Sequence, residues 1–311
     1  MSEIKNCIYG LVIGDAMGVP IEEYDRKRLL NKPVTKMLGW GNYFVPEGSW
    51  SDDTSMTLAT IDSILESDGV DVTDIANKMC EWVNDNKYTP TGELFSITDT
   101  TRFSLMRFWD SKNALTCGGV KPSTNDNGSL IRMSPIALYC FYKNLPDKKI
   151  YDLVYKVSSI TNANIISIIS CFIYVKFMIY ILNGKTIEEA YKLVKRYKYD
   201  KFFDISYLDE FDRLLKNDIG KLSIDEIESD NYCVHALEAS LWVLLNTNSF
   251  ESAIIGAINL GECTDNIGSL TGAIAGIVYK SKSMPKEWVN TLQRKDFIDK
   301  LVRKYNTYLT K

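Results

Sequence analysis

The chain has 311 residues, of which 45% are hydrophobic and 24% are charged, and its formal net charge is −4. This balance excludes a disordered or fibrous chain, and the length suffices for one large domain or two small ones. Lysines and arginines are spread along the chain, which argues against tight nucleic-acid binding and leaves a nucleotide-sized ligand open.

Apolar residues recur at helical spacing along most of the chain, and strict two-residue alternation is rare. The periodicity predicts helices over 3–17, 54–67, 71–86, 101–110, 130–143, 149–160, 165–182, 186–197, 206–217, 233–246, 250–260 and 267–281. Segments rich in Gly, Pro, Asn and Asp predict loops, chiefly over 24–50, 88–99, 111–129 and 218–232. The pattern predicts an all-α fold, with residues 1–311 as a single compact domain.

The first predicted helix runs into the sequence GDAMGVPIE, residues 14–22. Glycine and proline end the helix there, so Glu22 is projected from a turn and not from a helix face. Such an acid is either an exposed residue after a helix end or a group placed for chemistry, and the segment alone does not decide between them.

The second helix begins in GSWSDDTSM, residues 48–56, where Ser51 is predicted as the N-cap with Asp52 and Asp53 in the first turn. Acids at a helix start satisfy free N–H groups and the macrodipole. A hydroxyl beside two carboxylates also suits a hard cation such as Mg²⁺. Both interpretations remain open for this segment.

Two further polar segments each lead into a helix. In NDNGSLIR, residues 125–132, a glycine-containing loop offers backbone N–H groups to a phosphate, although Asn-Gly is also a common tight turn. In GECTDNIG, residues 261–268, Asp265 is either an ordinary capping acid or a ligand.

Residues 165–182 are nearly all apolar, and as a helix they would extend roughly 27 Å, just short of a bilayer core of about 30 Å. Lys176 lies inside this run. A helix buried on all sides gives the same pattern, and we favour that interpretation over a membrane span.

Gly268, Gly272 and Gly276 recur every four residues. On a helix they form a smooth stripe that lets another backbone approach closely, as in membrane helix pairs. This helix is short and polar at its start, so we expect the stripe to pack densely at the centre of the domain.

The cysteines are odd in number and scattered, without a CxxC pair: Cys7, Cys80, Cys117, Cys140, Cys171, Cys233 and Cys263. This excludes a zinc ribbon or a disulfide framework and predicts mostly buried free thiols. The N-terminal residues lack a signal-peptide pattern, so we expect a cytoplasmic protein. His235, the only histidine, lies in an apolar helix and is not expected to act in catalysis.

Together, GDAMGVPIE, GSWSDDTSM, NGSLIRMSPIAL and TDNIGSLTGAIAG resemble, in order and across nearly the whole chain, the motifs of the ADP-ribosylglycohydrolase family. The resemblance implies a multi-helix orthogonal bundle that holds two Mg²⁺ or Mn²⁺ ions in a cleft, where they bind the terminal ribose of an ADP-ribosyl group.

The resemblance also implies roles for individual residues. One metal-ligand set corresponds to Ser51, Asp52 and Asp53, and the other corresponds to Cys263, Asp265 and Asn266. Glu22 matches an acid proposed to act in catalysis in some relatives, with Asp52 and Asp53 as the other candidate acids or bases. The loop that would cradle the distal ribose and diphosphate corresponds to Asn127, Gly128 and Ser129.

This chain departs from the family pattern in several places. Ser51 stands for the usual threonine, Cys263 for an aspartate and Asn266 for a threonine, and residues 161–164 carry asparagine where the family often has histidine. A thiolate is a poor ligand for Mg²⁺. The second metal site is therefore expected to be weakened, and Cys263 could instead turn away from it.

The resemblance implies a metal-dependent hydrolase that removes ADP-ribose from a protein side chain, with arginine favoured. Its partner would be an ADP-ribosylated protein or a small ADP-ribose conjugate and not a membrane, and the net charge of −4 argues against a nucleic-acid partner without excluding one. The alternatives are a catalytically impaired relative that still binds ADP-ribose, which the Cys263 change favours, and a helical structural or membrane-associated protein.

Overall fold

A computed structural model describes residues 2–311. Within that range the chain is all-α, as predicted, with three isolated β-bridges and no strand. The α-helices are α1 (Glu3–Gly18), α2 (Arg26–Asn31), α3 (Asp52–Glu66), α4 (Val72–Asp85), α5 (Asp99–Ser111), α6 (Gly128–Ile131), α7 (Met133–Tyr142), α8 (Asp147–Ser158), α9 (Ile165–Leu182), α10 (Ile187–Lys195), α11 (Asp212–Leu215), α12 (Cys233–Asn246), α13 (Phe250–Ile258), α14 (Thr264–Tyr279), α15 (Lys286–Thr291) and α16 (Lys295–Leu309).

Helices α1 and α14 pack against each other through glycines, with almost no space between their backbones. A Cβ atom on Gly14 would lie 1.9 Å from the carbonyl oxygen of Gly268, and one on Gly10 would lie 2.0 Å from that of Gly272. The dense central packing predicted for the glycine stripe is confirmed. Only helices without side chains at these positions can approach this closely.

The contacts run in opposite directions along the two helices, so the pair is antiparallel. Beyond Gly10–Gly272 and Gly14–Gly268, the next contact brings Gly18 against the backbone of Asp265. The end of α1 therefore meets the start of α14, and the two motif segments that these helices carry come together.

Helix α9 forms another central part of the fold. Among residues 2–311 it is the one helix long and apolar enough to cross a membrane by length and composition, and 89% of it is buried within the protein. The predicted burial is confirmed. Lys176 is tolerated inside this helix because its ammonium group pairs with Asp147 at 2.8 Å, and Asp147 also accepts a hydrogen bond from Tyr197 at 2.7 Å.

Three predictions about the elements were wrong. The predicted loop 24–50 contains helix α2, the predicted helix 206–217 is mainly a 3₁₀ turn followed by the short α11, and neither α15 nor α16 was predicted. Helix α16 has an apolar face at helical spacing, formed by Ile298, Leu301, Val302, Tyr305 and Leu309. Burial of that face against the rest of the chain stabilises the helix.

Candidate functional site

The start of α3 is fixed by an acid on α1. Asp15 is fully buried, and its carboxylate accepts hydrogen bonds from the backbone N–H of Ser51 at 2.9 Å and from that of Thr54 at 3.0 Å. The Thr54 hydroxyl also donates to it, at 2.6 Å. Asp15 thus satisfies free N–H groups at the start of a neighbouring helix, which locks α3 to α1.

Ser51 is the N-cap of α3, as predicted: its hydroxyl accepts from the N–H of Asp53 at 3.2 Å. The two aspartates of the first turn then face different groups. Asp53 accepts from Ser269 on α14 at 2.8 Å, whereas Asp52 accepts from Ser96, in the loop before α5, at 3.0 Å. The capping role and the chemical role of this segment are therefore compatible.

Three carboxylates from three helices meet at this point. Asp15, Asp53 and Asp265 each offer one oxygen atom, and these atoms all lie within 4.8 Å of one another. All three side chains are fully buried. Sequence reasoning identified Asp53 and Asp265 but missed Asp15, although an acid inside the otherwise apolar helix α1 was a usable signal.

Burial raises the pKa of each of these carboxyl groups, because the charged form loses its hydration. The negative charge of Asp265 raises the pKa of Asp15 and of Asp53 further, and it acts in the same way on the buried Asp52. Across residues 2–311, no salt bridge pairs any of these groups with a basic side chain. No basic side chain of the described residues therefore compensates the negative charge that these acids carry when they ionise.

Several buried oxygen atoms around the cluster have no hydrogen-bond partner. They include Oδ2 of Asp265, Oε2 of Glu22 and the side-chain oxygen of Asn127. Burial and the charge of Asp265 raise the pKa of Glu22, which places this acid close to the cluster. Glu22 therefore lies close enough to Asp265 for the two charges to interact.

Asn266 connects the acid cluster to the predicted ribose loop. Its amide nitrogen donates to Asp53 at 2.9 Å, and its amide oxygen accepts from Asn127 at 2.9 Å. With both ends of the amide engaged, Asn266 holds Asp53 and Asn127 in place. Its oxygen keeps a second lone pair for a metal, in a direction that the bond to Asn127 fixes.

Cys263 lies beside the cluster, at the N-cap of α14, but is not one of the three residues whose ligand atoms converge. Burial and the negative charge of Asp265 raise the pKa of its thiol. A thiol that keeps its proton is a weak metal ligand, because the thiolate is the form that binds metals.

The predicted phosphate loop is built as a buried turn into α6. The Gly128 N–H donates to Asp126 at 3.2 Å, and the Ser129 hydroxyl lies 3.0 Å from that of Ser158 and 3.4 Å from the Cys171 sulfur. The Ser129 side chain therefore belongs to the protein interior. Asn127, whose side-chain oxygen is unpartnered, is the member of this loop with a free polar group beside the acids.

His235 is on α12, where its ring contacts Asp230 at 2.9 Å. Six of the seven cysteines are buried free thiols, as expected, and Cys263 is half-buried. None of these residues other than Cys263 takes part in the contacts of the acid cluster described above.

The residues present fit a divalent metal ion. Mg²⁺ and Mn²⁺ prefer oxygen ligands, and buried charges in proteins are paired or coordinate metals. Here buried carboxylate oxygens converge without a basic partner, and one oxygen of Asp265 has no hydrogen bond at all. Asp15, Asp53 and Asp265 are the residues whose oxygens could hold the metal, and Ser51 and Asp52 lie next to Asp53 at the start of α3.

Similarity to known proteins extends over nearly the whole chain. A family model described as ADP-ribosylglycohydrolase matches residues 1–310. The chain is 30% identical over 304 residues to a Pseudomonas putida protein named ADP-ribosylarginine hydrolase Tri1, covering 97% of this chain and 77% of that protein. A Serratia proteamaculans protein of the same name is 29% identical over 307 residues, covering 97% and 78%.

More distant proteins show the same likeness. An ADP-ribosyl-(dinitrogen reductase) glycohydrolase of Rhodospirillum rubrum is 24% identical over 292 residues, covering 92% of this chain and 88% of that protein. A solved structure named ADP-ribosylglycohydrolase-related protein complex superposes with a TM-score of 0.82 at 22% identity, covering 99% of this chain and 98% of that one. That structure shares the fold.

Proposed function

The chain belongs to the ADP-ribosylglycohydrolase family, and on that premise we propose that it is a metal-dependent hydrolase that removes ADP-ribose from a modified arginine side chain. The observation that carries the proposal is the convergence of Asp15, Asp53 and Asp265 within 4.8 Å. Buried acids that repel one another destabilise a fold, so their retention at one point supports a functional role.

In the proposed reaction, a water oxygen forms a bond to the anomeric carbon of the ribose while the bond from that carbon to the arginine nitrogen breaks. A base takes one water proton while an acid protonates the departing nitrogen, and the other water proton stays on the new ribose hydroxyl. Bound Mg²⁺ or Mn²⁺ would supply positive charge that orients the ribose hydroxyls and lowers the pKa of a water molecule.

The chain's own residues divide the remaining work. Glu22, with a buried unpartnered oxygen, is the proposed acid or base, and Asp52 and Asp53 are the other candidates for proton transfer. Asn127 is proposed to hold the distal ribose with the backbone of Gly128 and Ser129.

We propose two metal sites, of which the second is the weaker. The set around Ser51, Asp52 and Asp53 offers two carboxyl groups, whereas beside Asp265 the other candidate ligands are the neutral amide oxygen of Asn266, which accepts from Asn127, and the Cys263 thiol, whose pKa is raised. These two residues also favour the alternative function, an ADP-ribose-binding protein that no longer hydrolyses its ligand.

Release of ADP-ribose tests the proposal. The purified chain is incubated with arginine-linked and serine-linked ADP-ribosylated substrates in Mg²⁺, Mn²⁺ or chelator. We expect metal-dependent release from the arginine substrate, lost in Asp53→Asn and kept in the surface control Asp110→Asn. Release that persists in chelator would overturn the metal assignment, and ADP-ribose binding without release would establish the alternative.

A further inference from the structure

A tight turn formed by residues 40–45 lies directly against the segment that carries Glu22. The turn is closed by a hydrogen bond from the N–H of Trp40 to the carbonyl of Val45 at 2.6 Å. Gly41 packs so closely on the preceding segment that a Cβ atom there would lie 1.9 Å from the carbonyl oxygen of Pro20. The turn therefore has a fixed position relative to the end of α1.

Two side chains of this turn hold Glu22 at different points. The amide nitrogen of Asn42 donates to the backbone carbonyl of Glu22. The hydroxyl of Tyr43 lies close enough to the Glu22 carboxylate to interact with it. Glu22 follows a 3₁₀ turn, so no helix of its own fixes its side chain.

Tyr43 also joins the turn to the loop before α5. Its ring centroid lies 5.2 Å from that of Phe95, and its hydroxyl lies close to Ser96. Ser96 donates to Asp52 at 3.0 Å. Tyr43 and Ser96 therefore lie between Glu22 and Asp52, which are on two separate parts of the chain.

We propose that Tyr43 and Ser96 are positioning residues that hold the Glu22 carboxylate at a fixed place relative to Asp52 for the hydrolytic reaction. The inference rests on the proposed function, because it assigns a role within that site. A catalytic acid needs to be held to within a fraction of an ångström, and an acid on an irregular segment loses that precision unless other side chains fix its rotamer.

Removal of one hydroxyl tests this role without disturbing the packing. Tyr43→Phe keeps the ring against Phe95, and we expect kcat to fall about tenfold, with KM changed less than about twofold, because only the placement of Glu22 is lost. Ser96→Ala should lower kcat similarly and Ser96→Thr, which keeps the hydroxyl, should restore it. The matched control is Tyr207→Phe, an exposed tyrosine. An unchanged kcat in Tyr43→Phe, in an active protein, would overturn the inference and leave the proposed function standing.

Amide hydrogen exchange on the full chain provides a readout that does not need activity. If the connection exists, Tyr43→Phe speeds exchange in residues 40–45 and also in residues 93–97 by about fivefold, and Tyr207→Phe changes neither. Should the wild-type protein release no ADP-ribose, the proposed function fails, and exchange then decides the inference by itself. Unchanged exchange in residues 93–97 would overturn it.

Discussion

Substitution of Gly272 by alanine should separate the two helices that form the centre of the fold. The new Cβ atom would lie 2.1 Å from the carbonyl oxygen of Gly10, whereas non-bonded heavy atoms pack best at about 3.5–4.0 Å. The nearest atom belongs to a backbone and cannot rotate away, so α1 and α14 must move apart by more than ~1 Å. Overpacking of this kind costs about 3 kcal/mol.

For 311 residues the entropy of unfolding is about 0.65 kcal/mol per kelvin, so a loss of about 3 kcal/mol lowers Tm by about 5 °C. The assay is thermal unfolding followed by circular dichroism in chelator. The matched control is Gly256→Ala on α13, where the nearest atom is a Val243 methyl carbon at 3.3 Å. Alanine there favours the helix, and Tm should stay level or rise by about 1–2 °C. Equal Tm values for the two variants would refute the packing argument.

Three further predictions concern the acid cluster. Asp52→Ala and Asp53→Ala should each abolish hydrolysis while keeping the helical circular dichroism signal, and wild-type turnover in both would contradict the metal assignment. Cys263→Asp should tighten Mg²⁺ binding in titration calorimetry, because it adds a charged oxygen ligand; unchanged affinity would place Cys263 outside the metal's contacts. In chelator, Tm should fall as pH rises from 5 to 8. Because the pKa values of these carboxyl groups are raised in the folded state, the folded protein binds more protons than the unfolded chain. The stability present at low pH is therefore lost as pH rises through the pKa values of the folded state. Saturating Mn²⁺ at pH 8 should raise Tm by about 4 °C at a hundredfold excess over Kd, and a pH-independent Tm in chelator would contradict the cluster's electrostatics.

Local sequence signals were sufficient where a single segment determines the structure. The capping pattern placed Ser51 at the start of α3 with Asp52 and Asp53 behind it, and the structure has this arrangement. Helical periodicity indicated the all-α fold, and the apolar run of α9 indicated a buried helix. Helix α16 has the same kind of signal and was missed although its apolar face is regular.

Other features depend on contacts between distant segments. The role of Asp15 is visible only when α1 lies beside α3 and α14, because an acid in an apolar helix has no partner within its own helix. Tyr43 and Ser96 lie in loops without periodicity, and the direction of the Ser129 side chain follows from its neighbours Ser158 and Cys171.

The sequence by itself determined most of the helices, the N-cap at Ser51 and most of the oxygen-bearing residues, since these depend on neighbours within a few positions along the chain. The tertiary structure decided which of those residues meet. Antiparallel packing through Gly14 and Gly268 places the end of α1 against the start of α14, and so brings Asp15 and Asp265 to one point. That convergence depends on contacts between residues about 250 positions apart, which no local pattern encodes.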